Sequence, residues 1–368
     1  MGFRCGIVGL PNVGKSTLFN ALVRAHVPAE NYPFCTVEPN VGVVAVPDGR
    51  LQKLSQLVPK EKVTPATMQF VDLAGLVEGA SRGEGLGNRF LSQIAQVEAI
   101  AHVVRCFEDP QVTHVSGKVD PRRDVEVVNT ELLLKDLETV SHAIAKLSKP
   151  AHSGDRKAMA TLGIYERLRG AIEQGQAVRK ILGEFSSDER KEIESLQLLT
   201  AKPVLYVANI SEQAMGKSDF HWLKEVEKLA KADGSPVVPI CAVIEAQIAE
   251  LESDEERLEY LQAVGLSESG LDRLIRAGYA LLGLITFFTI VSEENRAWTI
   301  PRGTTAVQAA GKIHSDMAKG FIRAEVIHYE DFVACGSESV AREKGKIRLE
   351  GRDYVVQDGD IIHFRFHV

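Results

Sequence analysis

The eight residues Gly9-Leu10-Pro11-Asn12-Val13-Gly14-Lys15-Ser16 fit the pattern GxxxxGK[ST] without a departure. Phe3 to Val8 before them has the composition of a buried strand. Ser16 to Val23 after them has the spacing of a helix, with Leu18, Phe19 and Leu22 on one face. A strand that enters a glycine-rich turn and leaves as a helix is built to hold phosphate. The glycines let the chain curl until successive N–H groups point inward, and the helix N-terminus adds partial positive charge. Phosphate contact is therefore expected from Asn12, Val13, Gly14, Lys15, Ser16 and Thr17. Lys15 is placed to reach the β- and γ-phosphates and to serve catalysis, and the Ser16 hydroxyl is placed to ligate Mg2+. The alternative is a glycine-rich turn without a ligand.

Two more segments complete the pattern. In NYPFCTVEPN, Thr36 sits in a loop ahead of the alternating strand VGVVAV. A threonine there can complete Mg2+ coordination and sense the γ-phosphate. In MQFVDLAGLVEGASRGEGLG, Met68 to Val71 forms a strand that Asp72 ends, and Gly75 follows. Asp72 is expected to hold Mg2+ through a water, and the Gly75 N–H to meet the γ-phosphate. The glycines that follow allow this segment to reorder when the γ-phosphate leaves.

Gly9–Ser16, Thr36 and Asp72–Gly75, in this order, resemble the translation-factor-related GTPases. The words NYPFCTVEPN, DLAGLVEGASRGEGLGNRFL and GFIRAEVI look like the Obg-related branch, and within it the Obg-like ATPases of the YchF subfamily. The resemblance covers essentially the whole chain. It implies an α/β P-loop NTPase G domain, an inserted antiparallel helical hairpin and a C-terminal β-grasp (TGS) domain. It also implies ATP rather than GTP as substrate, association with the large ribosomal subunit, and a role in translation or stress response.

Two departures from an ordinary switch protein stand out. The residue after the DxxG glycine is Leu76, followed by Val77, and neither holds water as a glutamine does. The resembled subfamily likewise has an apolar residue there. His114, in the turn-rich stretch EDPQVTHVSGKVDP, is the candidate to position or deprotonate water from a mobile loop. The alternative is a surface histidine. Second, LYVANISE stands where a guanine-binding protein has Asn-Lys-x-Asp. Asn209 remains and can contact the base edge or bridge loops. Ile210 replaces the lysine that stacks on the base, and Glu212 replaces the aspartate that takes two hydrogen bonds from guanine. Losing a paired polar readout costs orders of magnitude in discrimination. Adenine would then be read by backbone near Ile210; Cys241-Ala242 stands where Ser-Ala commonly contacts the base, and a buried strand end is an equally good reading of it. The rivals are a conventional GTPase in which Glu212 reaches guanine, and a ribosome- or RNA-binding module whose nucleotide is structural.

The chain has 368 residues, 45% hydrophobic and 25% charged, enough for two or three domains. No apolar stretch is long enough for a membrane span. The N-terminus reads as a first strand rather than a signal peptide, and Gly6 breaks the myristoylation pattern. The five cysteines include no CxxC, which suits plain thiols in a reducing cytoplasm. A net charge of −7 argues against general nucleic-acid coating. The G domain is expected to be split over residues 1–128 and 199–282. A hairpin at 129–198 would carry the stripes Leu133, Leu137, Val140, Ile144, Leu147 and Leu162, Tyr165, Leu168, Ile172, broken near Lys149-Pro150 and Ser153-Gly154. Residues 283–368 would form the β-grasp domain, with a hairpin turn at Asp358-Gly359. The basic residues Lys319, Arg323, Arg352 and 342–348 offer a face that either meets RNA phosphates or is merely solvated.

Overall fold

The computed structural model describes residues 3–26, 40–73, 86–217, 219–290 and 293–367. Its strands follow the apolar runs of the sequence. In chain order they are β1 (Arg4–Val8), β2 (Val41–Ala45), β3 (Lys62–Thr64), β4 (Thr67–Asp72), β5 (Ala99–Cys106) and β6 (Val204–Ile210). Then come β7 (Val237–Ile240), β8 (Leu284–Thr289), β9 (Glu294–Pro301), β10 (Phe321–His328), β11 (Arg348–Glu350) and β12 (Asp360–Phe366).

The first sheet has the order β2-β4-β1-β5-β6-β7. All its pairings are parallel except that of β2 with β4. Every residue of β5 and β6 is buried. Such continuous apolar runs are required where a parallel strand is covered on both faces. Helices Lys15–His26, His221–Asp233 and Gly270–Leu281 supply Leu18, Leu22, Leu223, Val226, Leu271 and Leu274 to that core. In a parallel sheet of this kind, ligands bind beyond the C-terminal strand ends. Here those ends carry Gly9, Asp72, Arg105, Asn209 and Cys241.

Between β5 and β6 the chain leaves the sheet as a helical arm. Helix Pro121–His152 is capped by the Asp120 carboxylate, which accepts the Arg123 N–H at 3.1 Å. Helix Arg156–Glu173 is capped by Asp155, which accepts the N–H groups of Lys157 and Ala158. All nine stripe residues named from the sequence meet in one core, joined by Ile181, Phe185 and Ile193. The arm differs from expectation at two points. Its first helix starts at Pro121, and Val125, Val128 and Leu132 belong to the core of the main sheet. Pro150 lies inside that helix, which ends only after His152. A proline in the last turn removes one main-chain bond rather than a run of them. Asp136 ties the arm back to the sheet: its carboxylate accepts Leu199 N, Thr200 N and the Thr200 hydroxyl at 2.6–2.8 Å.

The second sheet has the order β11-β10-β12-β8-β9-β3. The β8–β9 pair is antiparallel, β12 lies parallel to β8, and β10 lies antiparallel to β12. Helix Ala306–Ile313 packs Ala306, Ala309 and Ala310 against Phe287, Val326 and Phe364. This is a mixed sheet grasping one helix. The hairpin at Asp358-Gly359 does not form. The chain does turn there, with the Asp360 N–H donating to Gln357 O at 3.2 Å, but before the turn Val355 makes only an isolated bridge to Thr305 and pairs with no residue of β12. Asp358 accepts the Thr286 N–H, and Asp360 accepts the Gln357 N–H. The sheet also gains β3 from the N-terminal region, in parallel register with β9. Among the described residues, no helix is long and apolar enough to cross a membrane.

Candidate nucleotide site

The phosphate loop is shaped by positive φ at alternate residues, 62° at Asn12 and 90° at Gly14. Alternation of this kind makes a concavity of main-chain N–H groups. Asparagine tolerates the left-handed region through its short polar side chain. Gly14 has a further constraint, since a Cβ there would overlap Asn209 Nδ2. The Val13 side chain is buried beneath the loop, while Ser16 and Thr17 are exposed at the start of the helix. The Leu18 N–H donates to Gly14 O at 3.0 Å and sets the helix turning. Lys15 Nζ is paired with Asp72 Oδ1, so β4 and the phosphate loop deliver the ammonium and the carboxylate to one place.

Asn209 bridges loops. Its Nδ2 donates to Val13 O at 2.8 Å, and its Oδ1 accepts the Ala242 N–H at 3.1 Å. Of the two roles read from the sequence, the structure shows the second. Ile210 is buried at 4% exposure, and its side chain belongs to the sheet core rather than to a stacking position. Glu212 is exposed and opens the turn Glu212–Ala214. Cys241 is buried at the N-terminus of helix Ala242–Ile248, where burial pushes its thiol up. With the Asn209, Ile210 and Cys241 side chains engaged or buried, main chain and the exposed Glu212 are left to meet a base at these positions.

His114 corrects an expectation. The imidazole is buried at 6% exposure, not free on a mobile loop. Its Nε2 lies 3.0 Å from Asp124 Oδ2, and its Nδ1 accepts the Ser116 N–H at 3.1 Å. With Nδ1 accepting, the proton sits on Nε2 and is donated to Asp124. Burial raises the Asp124 carboxyl, and the His114 hydrogen bond opposes that rise. The segment nevertheless lies beside the phosphate loop, because Asn12 Nδ2 donates to Thr113 O at 3.1 Å. Arg105 and Asp124 were not singled out from sequence. The one available signal was a charged residue inside the apolar run IAHVVRC.

Thr36, Gly75, Leu76 and Val77 lie outside the described residues. On the C-terminal basic face, Arg342 pairs with Glu325 and Glu338, Lys346 with Asp331, Arg323 with Glu325 and Lys319 with Asp316. Arg352 lies over the Phe321 ring. The face is largely charge-balanced, although exposed pairs of this kind are worth little and can exchange partners.

Comparison with known proteins shows the family of the chain. A family model described as 50S ribosome-binding GTPase matches residues 4–140. The YchF-GTPase_C model, described as a protein of unknown function, matches residues 284–367. The chain is 54% identical over 368 residues to the ribosome-binding ATPase YchF of Haemophilus ducreyi, covering 100% of each. It is 52% identical over 369 residues to that of Bacillus subtilis (strain 168), again covering 100% of each. The solved structure of the Schizosaccharomyces pombe YchF GTPase matches with a TM-score of 0.89 at 38% identity, covering 99% of this chain and 98% of that one. A curved amide loop, a converging lysine and aspartate, and full-length likeness at this level place the chain in the YchF family.

Proposed function

We propose that this protein is a Mg2+-dependent ATPase that works on the ribosome. The observation that carries nucleotide binding is the convergence of the Asn12–Gly14 concavity, Lys15 and Asp72 in one place. Ser16 and Asp72 offer oxygen donors, the set a hard cation such as Mg2+ takes, and Thr36 is proposed as a further ligand. Bound with the triphosphate, Mg2+ neutralises phosphate oxygens. Gly75 is proposed as the γ-phosphate contact.

The preference for ATP follows from the base slot. Guanine selection needs a fixed carboxylate, and here Glu212 is exposed while the Asn209 amide is spent on Val13 and Ala242. The names of relatives divide on this point: the bacterial proteins are called ATPases and the Schizosaccharomyces pombe protein a GTPase. Competition between ATP and GTP for the purified protein decides it; tighter GTP binding overturns the assignment. The ribosome enters through the names of the relatives and the matching family model. Co-sedimentation with large subunits, with and without an ATP analogue, is the test.

Hydrolysis by way of His114 requires the imidazole to leave both Asp124 and Ser116. Single-turnover hydrolysis by His114→Ala checks this. A wild-type rate with intact binding removes His114 from the reaction.

A further inference from the structure

We propose that Arg105 is a positioning residue for triphosphate binding, which with Asn209 fixes the peptide planes of the phosphate loop. The proposal rests on the nucleotide-binding reading above and deepens it. Arg105 stands at the end of β5, and its Cα is in register with that of Asn209 on β6. The side chain is 2% exposed. Its guanidinium donates to three main-chain oxygens: Nη1 to Asn12 O at 3.2 Å, Nη2 to Val112 O at 2.8 Å and Nε to Phe107 O at 3.1 Å. It also lies 4.5 Å from the centroid of the Phe107 ring.

Asn209 holds the next carbonyl along the loop, Val13 O. Two neighbouring strand ends therefore grip two consecutive carbonyls from the sheet side. A trans peptide is planar, and its C=O and N–H point in opposite directions. Drawing Asn12 O toward Arg105 turns the Val13 N–H the other way, and drawing Val13 O toward Asn209 does the same for the Gly14 N–H. These are the amides that must face an anion. The contacts also hold Asn12 in its left-handed conformation, φ 62°.

A buried cation whose direct acceptors are all neutral carbonyls is an expensive way to fill space, since an apolar side chain would avoid its desolvation. Its three acceptors carry no charge, the carboxylates of Asp109 and Asp124 act on it only through space, and Asn12 O joins it to the phosphate loop. Only arginine has a rigid fork able to reach three acceptors in different directions. Through Val112 the same residue ties the segment bearing His114 to the loop, and a separate bond from Asn12 Nδ2 to Thr113 O adds to that tie.

The test compares wild type with Arg105→Met and Arg105→Lys, titrating Mg·ATP, Mg·ADP and adenosine. Arg105→Met should bind ATP and ADP at least about tenfold more weakly, which is a loss of about 1.4 kcal/mol. Adenosine affinity should stay constant, and the nucleotide-free melting temperature should move little. Arg105→Lys should fall between. In Arg105→Ala, low-millimolar guanidinium should restore part of the ATP affinity while leaving wild type unchanged. A folded Arg105→Met that binds ATP like wild type overturns the proposal. So does an equal loss for ATP and adenosine, which marks a purely structural residue. If the Met variant fails to fold, an Arg105→Lys protein with lowered melting but wild-type ATP affinity overturns it as well. Wild-type protein that ignores ATP would instead sink the nucleotide-binding reading itself.

Discussion

At the scale of single residues, the site depends on how little room the phosphate loop leaves. Gly14 combines φ 90° with a backbone pressed against the Asn209 amide. An alanine pays the left-handed penalty of about 1–2 kcal/mol and must also push Asn209 off Val13 O. Gly14→Ala should therefore lose at least about tenfold in ATP affinity while keeping its far-ultraviolet circular dichroism. Titration of the folded variant checks this, and unchanged affinity would mean that Asn209 does not brace the loop. A second residue acts through pH. Burial, then Arg179, depress the His102 imidazole on β5 to about 3, against 6.5 in an unfolded chain, and Asp233 only partly opposes them. The folded protein thus excludes a proton that the unfolded chain accepts. Stability from this source is complete above pH 6.5 and drains away as pH falls from 6.5 toward 3, by up to about 1.4 kcal/mol per pH unit. His102→Gln should show a shallower loss of stability between those limits, by about 1 kcal/mol per unit. Denaturant melts at pH 6.5 and pH 5 measure the difference in slope; parallel slopes would refute it.

At the scale of elements, the arm is a separate packing unit grafted onto the sheet. Val140 and Leu168 are fully buried within its own core, whereas Val125 and Val128 of the same first helix belong to the main one. Leu168→Ala should cost about 2–5 kcal/mol of local stability. Hydrogen exchange should quicken along the arm while Mg·ATP affinity holds. A matching fall in nucleotide affinity would show that the two cores are one. The arm also shows what a sequence discloses. Its stripes were legible because helical periodicity is a local signal, and the phosphate loop was legible because its chemistry demands particular residues at fixed spacing. Partnerships between distant residues were not. Nothing in EDPQVTHVSGKVDP announces that His114 will be buried against Asp124, and nothing in KVT announces that β3 will pair with β9. Turn-forming residues mark where a chain leaves regular structure, but burial there is decided by what the rest of the fold brings alongside. Arg105 escaped notice for the same reason: Asn12, the acceptor that joins it to the phosphate loop, lies 93 residues away in the chain.

At the scale of the whole molecule, the two sheets are sewn together along residues 48–67. Arg50 joins Asp48 to Asp358 at 2.8 Å each and lies over the Phe288 ring. Asn295, fully buried, donates to Val58 O at 2.7 Å, and β3 extends the second sheet beside β9. From β3 the chain passes almost directly into β4, whose last residue is Asp72. A short, continuous path thus connects Asp72, the carboxylate proposed to face the metal, with the C-terminal sheet. Burial tends to raise the Asp358 carboxyl, but Arg50 and the Thr286 N–H outweigh it and hold it below the usual range. A depressed carboxyl stabilises the folded state above its unfolded value and loses that contribution as pH falls through the folded one. The seam should therefore loosen in acid, below about pH 4. Arg50→Ala should remove this acid step and separate one cooperative unfolding transition into two at neutral pH. If the seam also carries information, ATP binding should slow hydrogen exchange in β9 of wild type and leave it unaltered in Arg50→Ala. By linkage, a C-terminal partner would then bind differently to the ATP and ADP forms of wild type alone. Exchange in β9 that ignores nucleotide in both proteins would make the seam a fastening and nothing more.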